Sequence, residues 1–176
     1  ERLVAEARAA GGESIVLTFE PHPRITLGRA EGLRLLTTLD EKICLLERLG
    51  VDCVIVIPFD RTFSELSGGD FVREYLLRRI GAETVVVGYN HRFGHDRIDC
   101  HAIAGLGLKV VEVDECSVAG EHVSSTVIRN LVAEGNIAEA ERLLGHPLRI
   151  SVCKSGAPGE KRATQVAPEP EGGKNS

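Results

Sequence analysis

The chain has 176 residues, 43% of them hydrophobic and 27% charged, a composition that suits one soluble globular domain with a core of its own. Its 21 Lys and Arg against 26 Asp and Glu leave a net charge of −5. That balance gives no general attraction to nucleic acid or to an anionic membrane, so any anion has to be held by a local arrangement of donors. No apolar run of about 18 residues and no secretory leader pattern occurs. The cysteines at 44, 53, 100, 116 and 153 form no C-x-x-C pair and read as buried thiols, which fits a reducing cytoplasm.

In chain order, Leu3, Val4 and Ala7 at helical spacing predict a helix over 1–10, closed by Gly11-Gly12. The helical pattern is already under way at Glu1, which leads us to expect polypeptide ahead of it. Residues 14–19 (SIVLTF) form a short apolar run that predicts a strand buried on both faces, with its centre at 15–18, ended by Pro21-His22-Pro23. Thr38 caps a predicted helix over 39–49, and 53–57 (CVIVI) is a second buried strand, centred on 54–57 and ended by Pro58. A helix over 69–80, a strand over 84–87, a strand over 109–113 and two helices over 125–134 and 137–144 complete the alternation. Residues 148–153 read as the start of another strand. Strands alternating with helices of about ten residues predict an α/β fold with a doubly wound parallel sheet, Rossmann-like, whose ligands lie beyond the carboxyl ends of the strands. Residues 1–154 are expected to form the domain. Residues 155–176, polar and rich in Pro and Gly, are expected to be a disordered tail.

Three strand ends carry residues suited to binding: Glu20 to Pro23, Pro58-Phe59-Asp60, and Gly88 to Gly94. A fourth candidate is Ser124-Ser125-Thr126-Val127-Ile128-Arg129. It opens a helix with hydroxyls in the first turn and a guanidinium one turn in, which suits phosphate oxygens. Simple capping by a hydroxyl, with Arg129 in solvent, accounts for the same residues. His91, His95, Cys100 and His101, with His22 from a neighbouring strand end, are metal-ligating types, but their spacing follows no standard zinc pattern.

Thr18 to Pro23 (TFEPHP), Leu36 to Lys42 (LTTLDEK), Pro58-Phe59-Asp60, Val87 to Gly94 (VGYNHRFG) and Ser124 to Arg129 (SSTVIR) occur in that order. Together they resemble the signature segments of the FMN adenylyltransferase module of bacterial bifunctional riboflavin kinase/FAD synthetases, over about residues 1–147. The resemblance implies a nucleotidylyltransferase fold that joins FMN to the AMP part of ATP, with Mg2+, and releases pyrophosphate. It implies ATP-phosphate binding by Ser125, Thr126 and Arg129. Asn90 and Phe93 match a loop that places flavin and nucleotide; Phe59, His22 and Arg92 lie at the strand ends around it. For His22 a structural role in the Pro-His-Pro turn competes, for Arg92 solvation, for Phe93 core packing.

The departures are equally specific. The family's G-x-F-D-G-x-H-x-G-H loop, whose histidines stabilise transferring phosphates, matches nothing in the 176 residues, and the strand leading into it lies mid-sheet in the family. His91 stands where phenylalanine is expected, and the segment 96–107 is short. No segment after Pro147 resembles the riboflavin kinase domain, so kinase activity is not expected. A chain that binds nucleotide without efficient turnover is the competing expectation.

Overall fold

A computed structural model describes residues 1–31, 34–118 and 120–148 and the backbone of a strand at 163–165. The first helix, α1 (Arg2–Ala10), ends at Gly11, whose φ of 69° closes it in the left-handed region. It leads into β1 (Ile15–Glu20), and α3 (Leu39–Arg48) leads into β2 (Cys53–Pro58), with a one-turn helix α2 (Pro23–Thr26) between β1 and α3. After β2 come α4 (Arg61–Ser64), then α5 (Gly68–Phe71), which runs on as a π-helical stretch over Val72–Ile80. Next are β3 (Thr84–Gly88), α6 (Cys100–Ala104) and β4 (Lys109–Val113). A small antiparallel hairpin, β5 (Ser117–Val118) with β6 (Glu121–His122), precedes α7 (Ser125–Ala133) and α8 (Ile137–Leu144).

β1 and β2 pair in parallel from Ile15 with Cys53 to Glu20 with Pro58. The pleat sends alternate side chains to opposite faces. Val16 and Val54 pack with Val4 of α1 and Ile43 and Leu46 of α3, while Ile15, Leu17, Phe19, Ile55 and Ile57 join the main core on the other face. Burial on both faces is why these strands are continuous apolar runs rather than alternating ones. Ser14, fully buried, fixes the start of the ladder: its N–H and hydroxyl both donate to Asp52 Oδ2, at 3.0 and 2.7 Å, and Asp52 N–H donates to Ser14 Oγ at 3.0 Å.

The single sheet expected from the sequence is divided. β3 pairs with β4 in parallel, from Thr84 with Lys109 to Gly88 with Val113, but among the described residues no ladder joins this pair to β1 or β2. The two pairs are bridged by packing instead. Val87 and Leu108 share one cluster with Ile55, Ile57, Phe71 of α5 and Val72, Tyr75 and Leu76 of its π-helical continuation. Open space separates the facing flanks of β1 and β3, and ladder hydrogen bonds need strands about 4.8 Å apart.

The tail reading also needs correction at one place. A strand β7 (Ala163–Gln165) extends the first sheet to the order β1-β2-β7, pairing in parallel with Val54 to Val56. The unpaired backbone of β2 offers donors and acceptors that need no apolar side chains from the partner, so a composition argument does not see it. The other residues of 155–176, and 149–153 of the strand expected over 148–153, lie outside the described residues.

Candidate functional site

A cleft of about 1150 Å³ opens between the two strand pairs. Consecutive residues of both strands line it, Ile15, Val16 and Leu17 on one side and Val85, Val86 and Val87 on the other, so the two strands present their backbone edges to it. At the carboxyl ends of the strands the cleft becomes aromatic. All five phenylalanines of the chain meet there. Phe19 contacts Phe59 and Phe63 with centroids 5.5 Å apart in each pair, Phe63 contacts Phe71 at 6.0 Å, and Phe71 contacts Phe93 at 6.2 Å. Edge-to-face and offset pairs of this kind contribute about 0.5–1.5 kcal/mol beyond the area they bury.

The turn after β3 reaches the cleft through a close backbone approach. Gly94 has φ 69°, and a Cβ there would lie 2.0 Å from the Gly68 nitrogen. Gly68 N–H donates to Asp96 Oδ1 at 2.7 Å, and His95 N–H donates to the Leu66 carbonyl at 3.0 Å. This clasp holds Phe93 in the core at 7% exposure, with the His91 ring against it at 4.4 Å. Both Phe93 and Phe59 border the cleft, as does Arg92, whose guanidinium is exposed and donates to the His91 carbonyl at 3.0 Å. Asn90 is exposed and does not line it.

Beside the aromatic end, segments distant in sequence gather positive charge. The capping box of Thr38 and Glu41 fixes the first turn of α3. One turn on, Lys42 Nζ donates to the hydroxyl of buried Thr18 at 3.1 Å. From α7, Arg129 Nε donates to the Arg34 carbonyl at 2.7 Å, and Leu36 packs on the cluster built around Ile128, so the stretch leading into α3 is tied to α7. His22 caps α2, its Nδ1 accepting from Arg24 N–H at 3.2 Å, which leaves the ring proton on Nε2. Burial of its ring, then the charges of Lys42, Arg129 and Arg24, lower its pKa below the usual 6.5, with Glu20 opposing. His22 therefore serves the turn through one ring nitrogen while its ring feels the charges of the three cations. Thr26, whose hydroxyl donates to the Phe59 carbonyl at 2.6 Å, ties this turn to the end of β2.

The start of α7 separates the two uses of its hydroxyls. Ser124, not Ser125 or Thr126, is the cap, its Oγ accepting from Val127 N–H at 3.3 Å. Ser125 and Thr126 are exposed, ahead of Ile128 N–H, which bonds the Ser124 carbonyl at 3.0 Å. Arg129 and His22 are thus brought together electrostatically, Phe59, Phe93 and Arg92 border the cleft, and Ser125, Thr126 and Asn90 lie outside its lining. The sequence reading passed over Lys42 and Phe63. Lys42 stands inside the LTTLDEK segment, yet nothing in a sequence says that its ammonium reaches Thr18, 24 residues away.

Among the described residues no three His, Cys, Asp or Glu side chains come together as a metal site. Cys100 instead donates through Sγ to Glu112 Oε2 at 2.9 Å, and of the described cysteines only Cys44 is buried, so the expectation of buried thiols fails for Cys53, Cys100 and Cys116. The cationic rim likewise does not fit a magnesium ion held by the protein, since hard divalent cations want carboxylate oxygens.

The FAD synthetase family profile matches residues 1–127. The chain is 37% identical over 142 residues to the bifunctional riboflavin kinase/FMN adenylyltransferase of Listeria monocytogenes, covering 78% of this chain and 45% of that protein. To the Escherichia coli K12 protein of the same name it is 33% identical over 154 residues, covering 85% and 49%. The chain therefore spans about half the length of these relatives. A crystal structure described as macrolide-efflux protein from Streptococcus pneumoniae superposes with a TM-score of 0.71 at 26% identity, covering 82% of this chain and 49% of that one. Among the described residues no helix is long and apolar enough to cross a membrane. With residues 1–127 of its 176 matched by the family pattern, the chain belongs to the FAD synthetase family.

Proposed function

We propose that this chain is the FMN adenylyltransferase part of a cytoplasmic flavin-cofactor enzyme, with a Rossmann-like nucleotidylyltransferase fold, and that it joins FMN to the AMP moiety of ATP. The observation that carries this reading is the juxtaposition of an aromatic cleft with a cationic rim at the carboxyl ends of parallel strands. The flavin ring needs a flat apolar slot, which Phe59 and Phe93 border together with Arg92, while Asn90 is exposed on the same loop, outside the lining. The phosphates need donors and positive charge, which Ser125, Thr126, Arg129 and His22 supply. A phosphate oxygen of FMN attacks the α-phosphorus of ATP, a P–O bond forms, the bond to the β-phosphate oxygen breaks, and pyrophosphate leaves. Magnesium, if bound to the ATP phosphates, would offset part of their charge, with no protein carboxylate among the described residues assigned to hold it.

Positioning and electrostatic stabilisation account for most of the catalysis of such a transfer. The cleft and rim supply both, but no residue of the 176 matches the family's histidine loop. The polypeptide of these residues alone is accordingly expected to bind ATP and to form FAD slowly. The test is an FAD-formation assay with FMN, ATP and magnesium. Slow, FMN-dependent FAD formation supports the reading, whereas ATP binding with no FAD formed on prolonged incubation favours a nucleotide-binding module without turnover. Turnover of about 1 s⁻¹ or more, ordinary for an enzyme, would show that the residues present suffice.

A further inference from the structure

We propose that Lys42 is a further phosphate-binding residue, the cation through which α3 contributes to the anion site formed with Arg129. The inference rests on the functional reading above and assigns the site a residue from a different element. Lys42 is half-buried and its ammonium donates to Thr18 Oγ1 at 3.1 Å. An ammonium has three donors, and a single neutral hydroxyl neither uses them all nor balances the charge. Among the described residues no carboxylate forms an ion pair with Lys42, Arg129 or Arg24, although pairs such as Arg2 with Glu6, Arg78 with Glu74 and Lys109 with Glu6 hold other parts of the molecule together.

The placement of Lys42 is enforced. The Thr38–Glu41 capping box sets the first turn of α3, and the Arg34 carbonyl and Leu36, just ahead of that turn, are fixed to α7 by Arg129 and the Ile128 cluster. Lys42, Arg129 and Arg24 thus come from three segments and lie close enough to act on one imidazole, with Glu20 the one acid opposing them there. Gathering like charges raises the free energy of the empty site, and a multiply charged anion removes that cost. The ligand chemistry this selects is a polyphosphate chain. Thr18 is the resting partner of the ammonium, and binding adds phosphate oxygens to its two remaining donors or draws it away from the hydroxyl.

Inorganic tripolyphosphate is the probe, titrated calorimetrically into the wild-type chain and into Lys42→Met, Lys42→Arg and Arg129→Ala, with the melting temperature of each recorded. Loss of one charge-assisted contact predicts affinity lower by about tenfold or more for Lys42→Met. Its melting temperature should stay within about 3 °C of wild type, the shift that about 1 kcal/mol produces in a chain of this size. Lys42→Arg keeps the charge and should recover most of the affinity. Equal affinity of Lys42→Met and wild type, with Arg129→Ala weakened, would remove Lys42 from the site and leave the functional reading standing. Absence of binding to the wild-type chain would remove the anion site itself. A Lys42→Met protein that melts far below wild type, or a Lys42→Arg protein as weak as Lys42→Met, assigns Lys42 a structural role and overturns the proposal.

Discussion

The aromatic cleft and the cationic rim lie side by side and are built in opposite ways. The cleft is walled by five phenylalanines that pack on one another, with Tyr75 packed on Phe63 and Phe71 in the core, and the same contacts that shape it also stabilise the main core. The rim is assembled by hydrogen bonds between segments from residues 18 to 129, and its cations are gathered rather than paired. Damage to the cleft should therefore appear as lost stability, and damage to the rim as lost anion binding with the fold intact. That separation is the testable content of the comparison.

The largest expected effect is on the cleft side. Phe71 is 8% exposed and touches Phe19, Phe63, Phe93 and Tyr75. Phe71→Ala should cost about 3–5 kcal/mol of unfolding free energy, measured by chemical denaturation. A cost below about 1 kcal/mol would mean that the rings are not a common core. Gly94→Ala should follow at about 2–4 kcal/mol, because the added Cβ meets the Gly68 backbone and the left-handed φ disfavours a side chain. Increased proteolytic cleavage near residues 88–98 would locate the damage, and an unchanged digestion pattern would contradict the clasp.

On the rim, Arg129→Ala should weaken ATP binding by about 1.5–3 kcal/mol while costing about 1 kcal/mol of stability or less, the worth of its bond to the Arg34 carbonyl. Were stability to fall as far as for Phe71→Ala, the proposed separation of cleft from rim would not hold. The smallest effect is that of pH. His22 titrates below its unfolded value of 6.5, so the unfolded chain takes up the proton first as pH falls. The contribution of His22 is then complete above pH 6.5 and is lost as pH drops from 6.5 towards the folded value. Melting temperatures measured between pH 7.5 and 5, conditions chosen to span about one unit either side of the imidazole range, should fall less steeply for His22→Gln than for wild type. An identical slope would show that neither burial nor the surrounding cations lower the pKa of this ring.

The strands and long helices were legible because each is a local pattern. Residues 14–19 and 53–57 are apolar runs that no surface strand would carry, and Thr38 with Glu41 is a cap written in four residues. The short helices after His22, Asp60 and Asp99 were not read. Each is a turn or so in length and begins at a side chain accepting from a backbone N–H nearby, too short for apolar periodicity to register. The hairpin at Ser117–Val118 and Glu121–His122 escaped for the same reason.

For the site, SSTVIR opens α7 and the VGYNHRFG loop runs on from the end of β3, as read from the sequence, because donors at a helix start and aromatics after a buried strand have a local physical rationale. Which hydroxyl caps α7 and which two are left exposed depended on backbone geometry at Ser124. The sequence by itself determined the alternation of buried strands and amphipathic helices, which follows from hydrophobic periodicity along the chain. Only the tertiary structure decided that β1 and β3 face each other across a cleft, that β7 adds to the far side of β2, and that Lys42 meets Thr18 near Arg129 and His22. Each of these is a contact between residues far apart in the chain, and such contacts depend on how elements pack, which no local pattern encodes.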